Sequence, residues 1–215
     1  MKLYIGNQNY SSWSLRAWLI FAHYELEVDV EKLTLFSAQF YDTLAGKTPA
    51  AKVPALIDGD VAVWDSLAIL EYINEAKLSH QAWPGAMNER AKARALASEM
   101  HSGFFAIRNE LPMNCRAKRQ VTLSEQAKQE IARVDEMWSE QMRTFPEGWL
   151  FGEWSIADAM YAPLALRFET YQIPLSPLAQ QYKHKVLTSP AIKFWLQQAS
   201  AETDIVEEDE AGEPI

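Results

Sequence analysis

Apolar and polar positions alternate in two different ways along this chain, and the change falls near residue 80. In the first part the apolar runs are short. Lys2 to Gly6 reads as a strand, and Leu15 to Tyr24 reads as a helix with Leu15, Trp18, Leu19 and Ala22 at helical spacing. Val28 to Leu33 alternates loosely, as a second strand does, and Ser37 to Ala45 holds one irregular helix ended near Gly46. Pro54-Ala55-Leu56-Ile57 and Val61-Ala62-Val63-Trp64 flank Asp58-Gly59-Asp60, and Asp-Gly between apolar runs is a strong hairpin signal. Asp65-Ser66 then opens a helix through Leu67, Ile69, Leu70 and Ile73. The order β-α-β-α-β-β-α predicts an α/β layer with a mixed sheet.

Ser79 to Asn88 contains Pro84-Gly85 and little periodicity, so it reads as a linker. Everything long beyond it is helical: Glu89–Leu111 up to Pro112, Leu123–Arg143, Ile156–Tyr171 with Pro163 inside, Pro177–Leu187 and Pro190–Ala199. No internal repeat is present. The expected fold class is therefore α+β, with a small α/β domain over residues 1–78, a linker over 79–88 and an all-helical domain over 89–215.

Composition narrows the partners. Of 215 residues, 48% are hydrophobic and 23% charged, as in ordinary globular proteins. The formal net charge of −9 argues against nucleic acid and against an anionic membrane surface. The one basic cluster, Arg116-Ala117-Lys118-Arg119, reads as a solvated helix end, and the acidic stretch from Glu202 to Glu213 reads as a mobile tail. A single cysteine, Cys115, excludes an internal disulfide and suits a reducing compartment. No apolar run has membrane-spanning length, and Lys2 leads straight into a strand rather than a signal peptide, so the expected location is cytoplasmic. No metal site is expected.

Three short stretches can carry chemistry. Asn9-Tyr10-Ser11-Ser12-Trp13-Ser14-Leu15-Arg16 is a strand-to-helix turn with serines at the helix start. Serine caps free N–H groups there, and the same N–H groups and the helix dipole favour an anion. Lys52-Val53-Pro54-Ala55-Leu56 puts a proline at the start of a strand, where it cannot donate to the ladder. That leaves the Val53 N–H and C=O free for a peptide ligand. Asp65-Ser66 precedes an apolar helix; read functionally, the Ser66 N–H and hydroxyl suit a carboxylate and Asp65 an ammonium, which is the head group of an α-amino acid. Taken singly, each stretch reads equally as a plain cap or an edge proline.

In this order and spacing the three stretches resemble the cytosolic glutathione transferase superfamily, and the resemblance covers nearly the whole chain. Tyr10 to Arg16 is similar to the serine motif of the zeta class, with Trp13 where a cysteine usually stands, so the resemblance is nearest to bacterial zeta-like members. Lys52 to Leu56 resembles the family's cis-proline motif and Trp64-Asp65-Ser66 its γ-glutamyl motif. Ser155-Ile156-Ala157-Asp158 resembles the capping box of its buried helix, where Ser155 accepts from the Asp158 N–H and the Asp158 carboxylate takes the Ser155 N–H. The implied fold is a thioredoxin-like βαβαββα domain followed by a helical bundle, the implied assembly a homodimer.

The resemblance implies glutathione as co-substrate, no prosthetic group, and a glutathione S-transferase activity of the detoxification type. A free thiol has a pKa near 8.5. A serine hydroxyl donating to the thiolate supplies roughly 1.5–3 kcal/mol, or about one to two pKa units. Ser11 aligns with the activating residue and Ser12 is the alternative; Trp13, Lys52, Val53, Pro54, Asp65 and Ser66 are implied to hold glutathione. Phe104, Phe105, Arg108, Met113 and Asn114 are candidates for the electrophile side. Arg108 and Arg167 would select an acidic substrate there, although Arg167 does not fall at the position of the zeta-class arginine. A glutathione-dependent isomerase and a non-catalytic or regulatory binding protein of the same fold are the alternatives.

Overall fold

The computed structural model describes all residues from Met1 to Ile215. Its sheet contains β1 (Lys2–Ile5), β2 (Asp29–Lys32), β3 (Ala55–Asp58) and β4 (Val61–Trp64) in the order β2-β1-β3-β4. β1 runs parallel to β2 in the register Leu3 to Val30 and antiparallel to β3 in the register Leu3 to Leu56. The β3–β4 pair is the hairpin that Asp58-Gly59-Asp60 announced, with Asp58 opposite Val61. A parallel pair needs a crossover, and α1 (Ser12–His23) supplies it. α2 (Ala38–Leu44) and α3 (Ser66–Leu78) complete the βαβαββα order.

α1 begins at Ser12 because Ser11 is its N-cap, its side chain accepting from the Ser14 N–H. Gly6, at the end of β1, lies in close packing: a Cβ there would lie 2.5 Å from Leu35 Cδ2 and 3.2 Å from Ser11 Cβ, so both neighbours would have to shift.

The remaining helices are α4 (Met87–Ser102), α5 (Phe105–Glu110), α6 (Glu125–Thr144), α7 (Ile156–Thr170), α8 (Pro177–Thr188) and α9 (Pro190–Ser200). α7 is buried around its whole circumference, as a central helix of a bundle is. One apolar core of 46 residues joins Leu3 and Leu15 to Trp138, Tyr161 and Trp195. The architecture is thus a small mixed sheet with a thioredoxin-like order, followed by helices.

Two sequence expectations are corrected. The helix expected over Glu89–Leu111 is two helices. Gly103 has no room for a side chain, since a Cβ would lie 2.8 Å from the Glu99 carbonyl, and Phe104 takes a left-handed φ of 58°. The Arg108 guanidinium donates to the Met100 and Gly103 carbonyls, closing the C-terminus of α4 with a positive charge. At the start of α7 the expected capping box is present: the Ser155 side chain faces the Asp158 N–H, and the Asp158 carboxylate accepts the Ser155 N–H at 2.9 Å and the Ser155 hydroxyl at 3.1 Å. Asp158 also accepts from the Leu150 N–H and the Tyr182 hydroxyl. Burial pushes its carboxyl up to about 6 against these four bonds.

The second correction concerns the acidic stretch, which is not a free tail. It runs back over the bundle, and β6 (Glu213–Pro214) pairs with β5 (Arg119–Gln120). The basic cluster is its counterpart rather than a solvated helix end. Arg116 donates to the Glu202 and Asp204 carbonyls, and Arg119 forms an ion pair with Glu210. Opposite charges at the two ends of a long loop closure explain the docking, and neither end shows it alone.

Candidate functional site

The turn between β1 and α1 is tight: the Asn7 carbonyl accepts from the N–H groups of both Tyr10 and Ser11. That turn carries Ser11 to the mouth of α1. The Ser14 hydroxyl oxygen accepts from the Gly6 N–H at 3.0 Å and lies 2.7 Å from Ser11 Oγ. With the Ser14 proton directed at Ser11, Ser11 Oγ accepts from both the hydroxyl and the N–H of Ser14. The Ser11 proton is then left to donate outward. Ser12 Oγ instead accepts from Arg167 Nη2 at 3.2 Å, so the two adjacent serines sit in different surroundings.

Both serines line a cavity of about 520 Å³, together with Trp13, Arg108, Arg167 and Asp209. Its far wall is the β2–α2 segment, with Leu35, Phe36, Phe40 and Tyr41. An adjoining cavity of about 270 Å³ is lined by Lys52, Val53, Pro54, Trp64, Asp65 and Ser66, and shares Trp13, Lys52 and Val53 with the first. The pair forms a groove of two compartments meeting at Trp13. The Val53-Pro54 peptide bond is cis, and the β1–β3 ladder begins only at Ala55, so the Val53 N–H and C=O lie outside it.

Asp65 has a left-handed φ of 73° and caps α3, accepting from the Leu67 N–H at 2.9 Å; His101 Nε2 lies 3.5 Å from its carboxylate. Beside it Ser66 is 1% exposed and its hydroxyl has no hydrogen-bond partner. Its N–H belongs to the first turn of α3 and has no intrahelical acceptor. A buried hydroxyl without a partner costs about 1–3 kcal/mol, so this one marks a place where something polar fits.

The larger compartment is strongly cationic. Arg108 and Arg167 line it, and the fully buried Arg16 lies beside Trp13, with the Arg16 and Arg108 guanidiniums 4.6 and 4.7 Å from the Trp13 ring centroid. None of the three forms an ion pair within 4.0 Å, although each donates to backbone carbonyls. Arg16 Nη2 and Arg167 Nε have no partner at all. Burial, then repulsion from Arg108, brings Arg167 down to about 10, and burial with both neighbours holds Arg16 well below its ordinary value. Arg167, at about 10, remains charged near neutrality. Asp209, across the same cavity, is pushed up to about 6 by burial, with Arg167 pulling the other way.

The groove brings together Ser11, Ser12, Trp13, Lys52, Val53, Pro54, Asp65, Ser66 and Arg108 from the sequence-derived candidates. It does not gather Phe104, Phe105, Met113 or Asn114. Phe104 is buried against Tyr161, with ring centroids 6.4 Å apart, because the left-handed bend turns it into the core. The same bend leaves Phe105 outward and 64% exposed. Met113 packs in the core, and Asn114 spends its side chain on Asn9 and Glu210. Cys115 lies outside the groove. Its Sγ faces the Gln8 carbonyl at 3.6 Å, and burial pushes the thiol up to about 12.

Sequence reasoning missed the β2–α2 wall and Asp209. Phe36, Phe40 and Tyr41 carried a signal, since large aromatics in a short irregular helix have too little core of their own. Asp209 carried none.

Comparison with known proteins agrees with this fold. The family described as glutathione S-transferase, N-terminal domain, matches residues 10–76, and glutathione S-transferase, C-terminal domain, matches residues 120–192, together more than half of the chain. The chain belongs to the glutathione S-transferase superfamily. Among curated relatives, a probable maleylacetoacetate isomerase of Caenorhabditis elegans is 28% identical over 170 residues, covering 78% of this chain and 79% of the relative. A stringent starvation protein A homolog of Histophilus somni is 23% identical over 156 residues, covering 70% and 71%. A solved glutathione transferase homolog from Burkholderia, with bound glutathione, superimposes with a TM-score of 0.67 at 22% identity over 92% of this chain and 97% of that one. That superposition shows the transferase fold. No helix of this superfamily member is long and apolar enough to cross a membrane.

Proposed function

We propose that this protein binds glutathione along the two-compartment groove and activates its thiol with the Ser11 hydroxyl for attack on a small electrophile. The observation that carries the reading is the arrangement around Ser11. Its oxygen accepts from the Ser14 N–H and lies 2.7 Å from the Ser14 hydroxyl, it lines the larger cavity, and the unpartnered Ser66 hydroxyl lies in the adjoining one. The γ-glutamyl carboxylate sits on the Ser66 hydroxyl and the first N–H groups of α3, where the helix end favours negative charge. Asp65 faces the neighbouring ammonium, and Val53 offers its free backbone groups to the cysteinyl peptide unit. Ser11 then donates to the thiolate, and the N-terminus of α1 adds to the stabilisation. Glutathione is the co-substrate, and the reading requires no prosthetic group.

The sulfur end opens onto Arg108 and Arg167, two guanidiniums without carboxylate partners. That observation favours an electrophile carrying a carboxylate, and with it a second reading, a glutathione-dependent isomerase. There the thiolate adds to one carbon of a carbon–carbon double bond, the remaining single bond rotates, and expulsion of the thiolate restores the double bond. Glutathione is regenerated and no atom is gained or lost.

A homodimer accompanies either reading. α3, α4 and α6 would supply the two-fold contacts, and the exposed Trp64, Met87 and Phe105 on or beside α3 to α5 suit such a face. A monomeric mass by sedimentation at micromolar concentration would contradict it. The functional test is retention on immobilised glutathione together with turnover of a neutral aryl halide and of an unsaturated dicarboxylate. A product containing glutathione supports the transferase; an isomerised product with glutathione recovered supports the isomerase. Retention with neither turnover supports a non-catalytic binding protein.

A further inference from the structure

The Asn7–Tyr10 turn sets the position of Ser11, because the Ser11 N–H is held at 2.8 Å on the Asn7 carbonyl. The turn does not hold itself. Gln8 and Asn9 are buried, and their backbone N–H groups meet the acidic stretch after α9. Both are taken by one carboxylate: Glu202 Oε1 accepts from Gln8 at 2.9 Å and Oε2 from Asn9 at 3.0 Å. The Glu202 side chain is 3% exposed and is itself neutralised by Lys32 Nζ at 2.9 Å from Oε1.

The neighbours of Glu202 extend the same grip. Asp204 accepts from Asn7 Nδ2 at 2.9 Å, Glu210 accepts from the Tyr10 hydroxyl at 2.5 Å, and Arg116 donates to that hydroxyl at 3.0 Å. From α9, Trp195 Nε1 donates to the Gln8 carbonyl at 2.8 Å. Each of the four turn residues is therefore tied to the last part of the chain, nearly 200 positions away. A loop bonded only to itself shifts at small cost, whereas two buried N–H groups sharing one buried carboxylate do not.

We propose that Glu202 is a positioning residue, holding the Asn7–Tyr10 turn so that the Ser11 hydroxyl meets the bound thiol, and that the acidic stretch from Glu202 to Glu210 acts as a clamp on the catalytic loop. The catalytic half of this inference rests on the Ser11 reading; the clamping half does not. Glu202→Gln is the informative variant. It keeps the size of the side chain, but its amide NH2 now faces one of the two N–H groups, so one bond is replaced by two opposed donors.

The experiment compares the wild-type full-length protein with Glu202→Gln, Asp204→Asn and the control Glu208→Gln, whose exposed side chain holds no turn residue. Two quantities are read: amide hydrogen exchange in the free protein, and the pH profile of thiolate absorbance with glutathione bound. In Glu202→Gln, exchange over residues 8–12 accelerates at least tenfold while the helices keep their wild-type rates. The bound thiol pKa rises by about one unit, kcat falls about tenfold, and KM for glutathione changes less than threefold, because the Ser66 compartment is untouched. Asp204→Asn moves the same quantities in the same direction by smaller factors, and decides the matter should Glu202→Gln fail to fold. Wild-type exchange over residues 8–12 in the variants overturns the proposal, and so does acceleration spread evenly over the chain, which would make Glu202 a general stabiliser. If the wild-type protein shows no thiolate signal, the glutathione reading fails, and the exchange comparison still decides the clamp.

Discussion

Replacing Ser66 with alanine should move stability and affinity in opposite directions. The hydroxyl is buried and unpartnered, so the unliganded fold gains nothing from it. Removing it leaves apo stability unchanged or raises it by up to ~1 kcal/mol, since an unsatisfied buried hydroxyl costs about 1–3 kcal/mol and the lost oxygen leaves a small void. Glutathione binding loses one bond to a carboxylate, about 1–2 kcal/mol, which weakens affinity by roughly five- to thirtyfold. Thermal melting reads both. A ligand at a hundred times its Kd stabilises by about 2.7 kcal/mol, and tenfold weaker binding removes about 1.3 kcal/mol of that. At roughly 2–4 °C per kcal/mol for a chain of this size, the glutathione-induced rise in Tm shrinks by about 3–5 °C, while the apo Tm stays level or climbs. An apo Tm lowered by several degrees would mean that the hydroxyl serves the fold. An undiminished glutathione shift would mean that the head group lies elsewhere.

Asp209 is the pH-dependent group of the larger compartment. With its carboxyl pushed up to about 6, it is neutral below that pH and charged above it, so an anionic electrophile meets growing repulsion as pH rises through about 6. At saturating glutathione, KM for a carboxylate electrophile should rise several-fold between about pH 5 and 7.5, relative to that of a neutral electrophile, and Asp209→Asn should flatten the rise; an unchanged profile in the variant would refute the assignment. Cys115, with its thiol pushed up to about 12, should react with iodoacetamide at pH 8 at least a hundredfold more slowly in the native protein than in the unfolded chain. Equal rates would show the thiol to be accessible.

Much of the α/β half was legible because local signals and tertiary demands agree there. The Asp58-Gly59-Asp60 turn, the serines before α1 and Asp65 before α3 each specify a turn or a cap that the sheet also needs. The break between α4 and α5 was not legible. The sequence from Glu89 to Leu111 favours helix almost throughout, and the bend at Gly103-Phe104 is imposed by packing of Phe104 on Tyr161 and by Arg108 closing α4. That one bend also explains why Phe104 and Phe105 miss the groove while Arg108 reaches it. The acidic stretch was misjudged for the opposite reason. Its composition is that of a solvated tail, and only the spatial meeting with Arg116, Arg119 and the Gln8 and Asn9 N–H groups gives it a place. In sequence Ser11 was favoured over Ser12 only by the resemblance; their different partners, Ser14 and Arg167, distinguish them in space.

The central claim is that the Ser11 hydroxyl stabilises a bound thiolate. The most direct measurement is the pH titration of thiolate absorbance near 240 nm for glutathione bound to the wild-type protein, to Ser11→Ala and to Ser12→Ala. The Ser11 arrangement predicts a wild-type value one to two units below the free thiol, a return toward about 8.5 or above in Ser11→Ala, and little change in Ser12→Ala. A low thiol pKa that survives Ser11→Ala, or one that is lost only in Ser12→Ala, would contradict it.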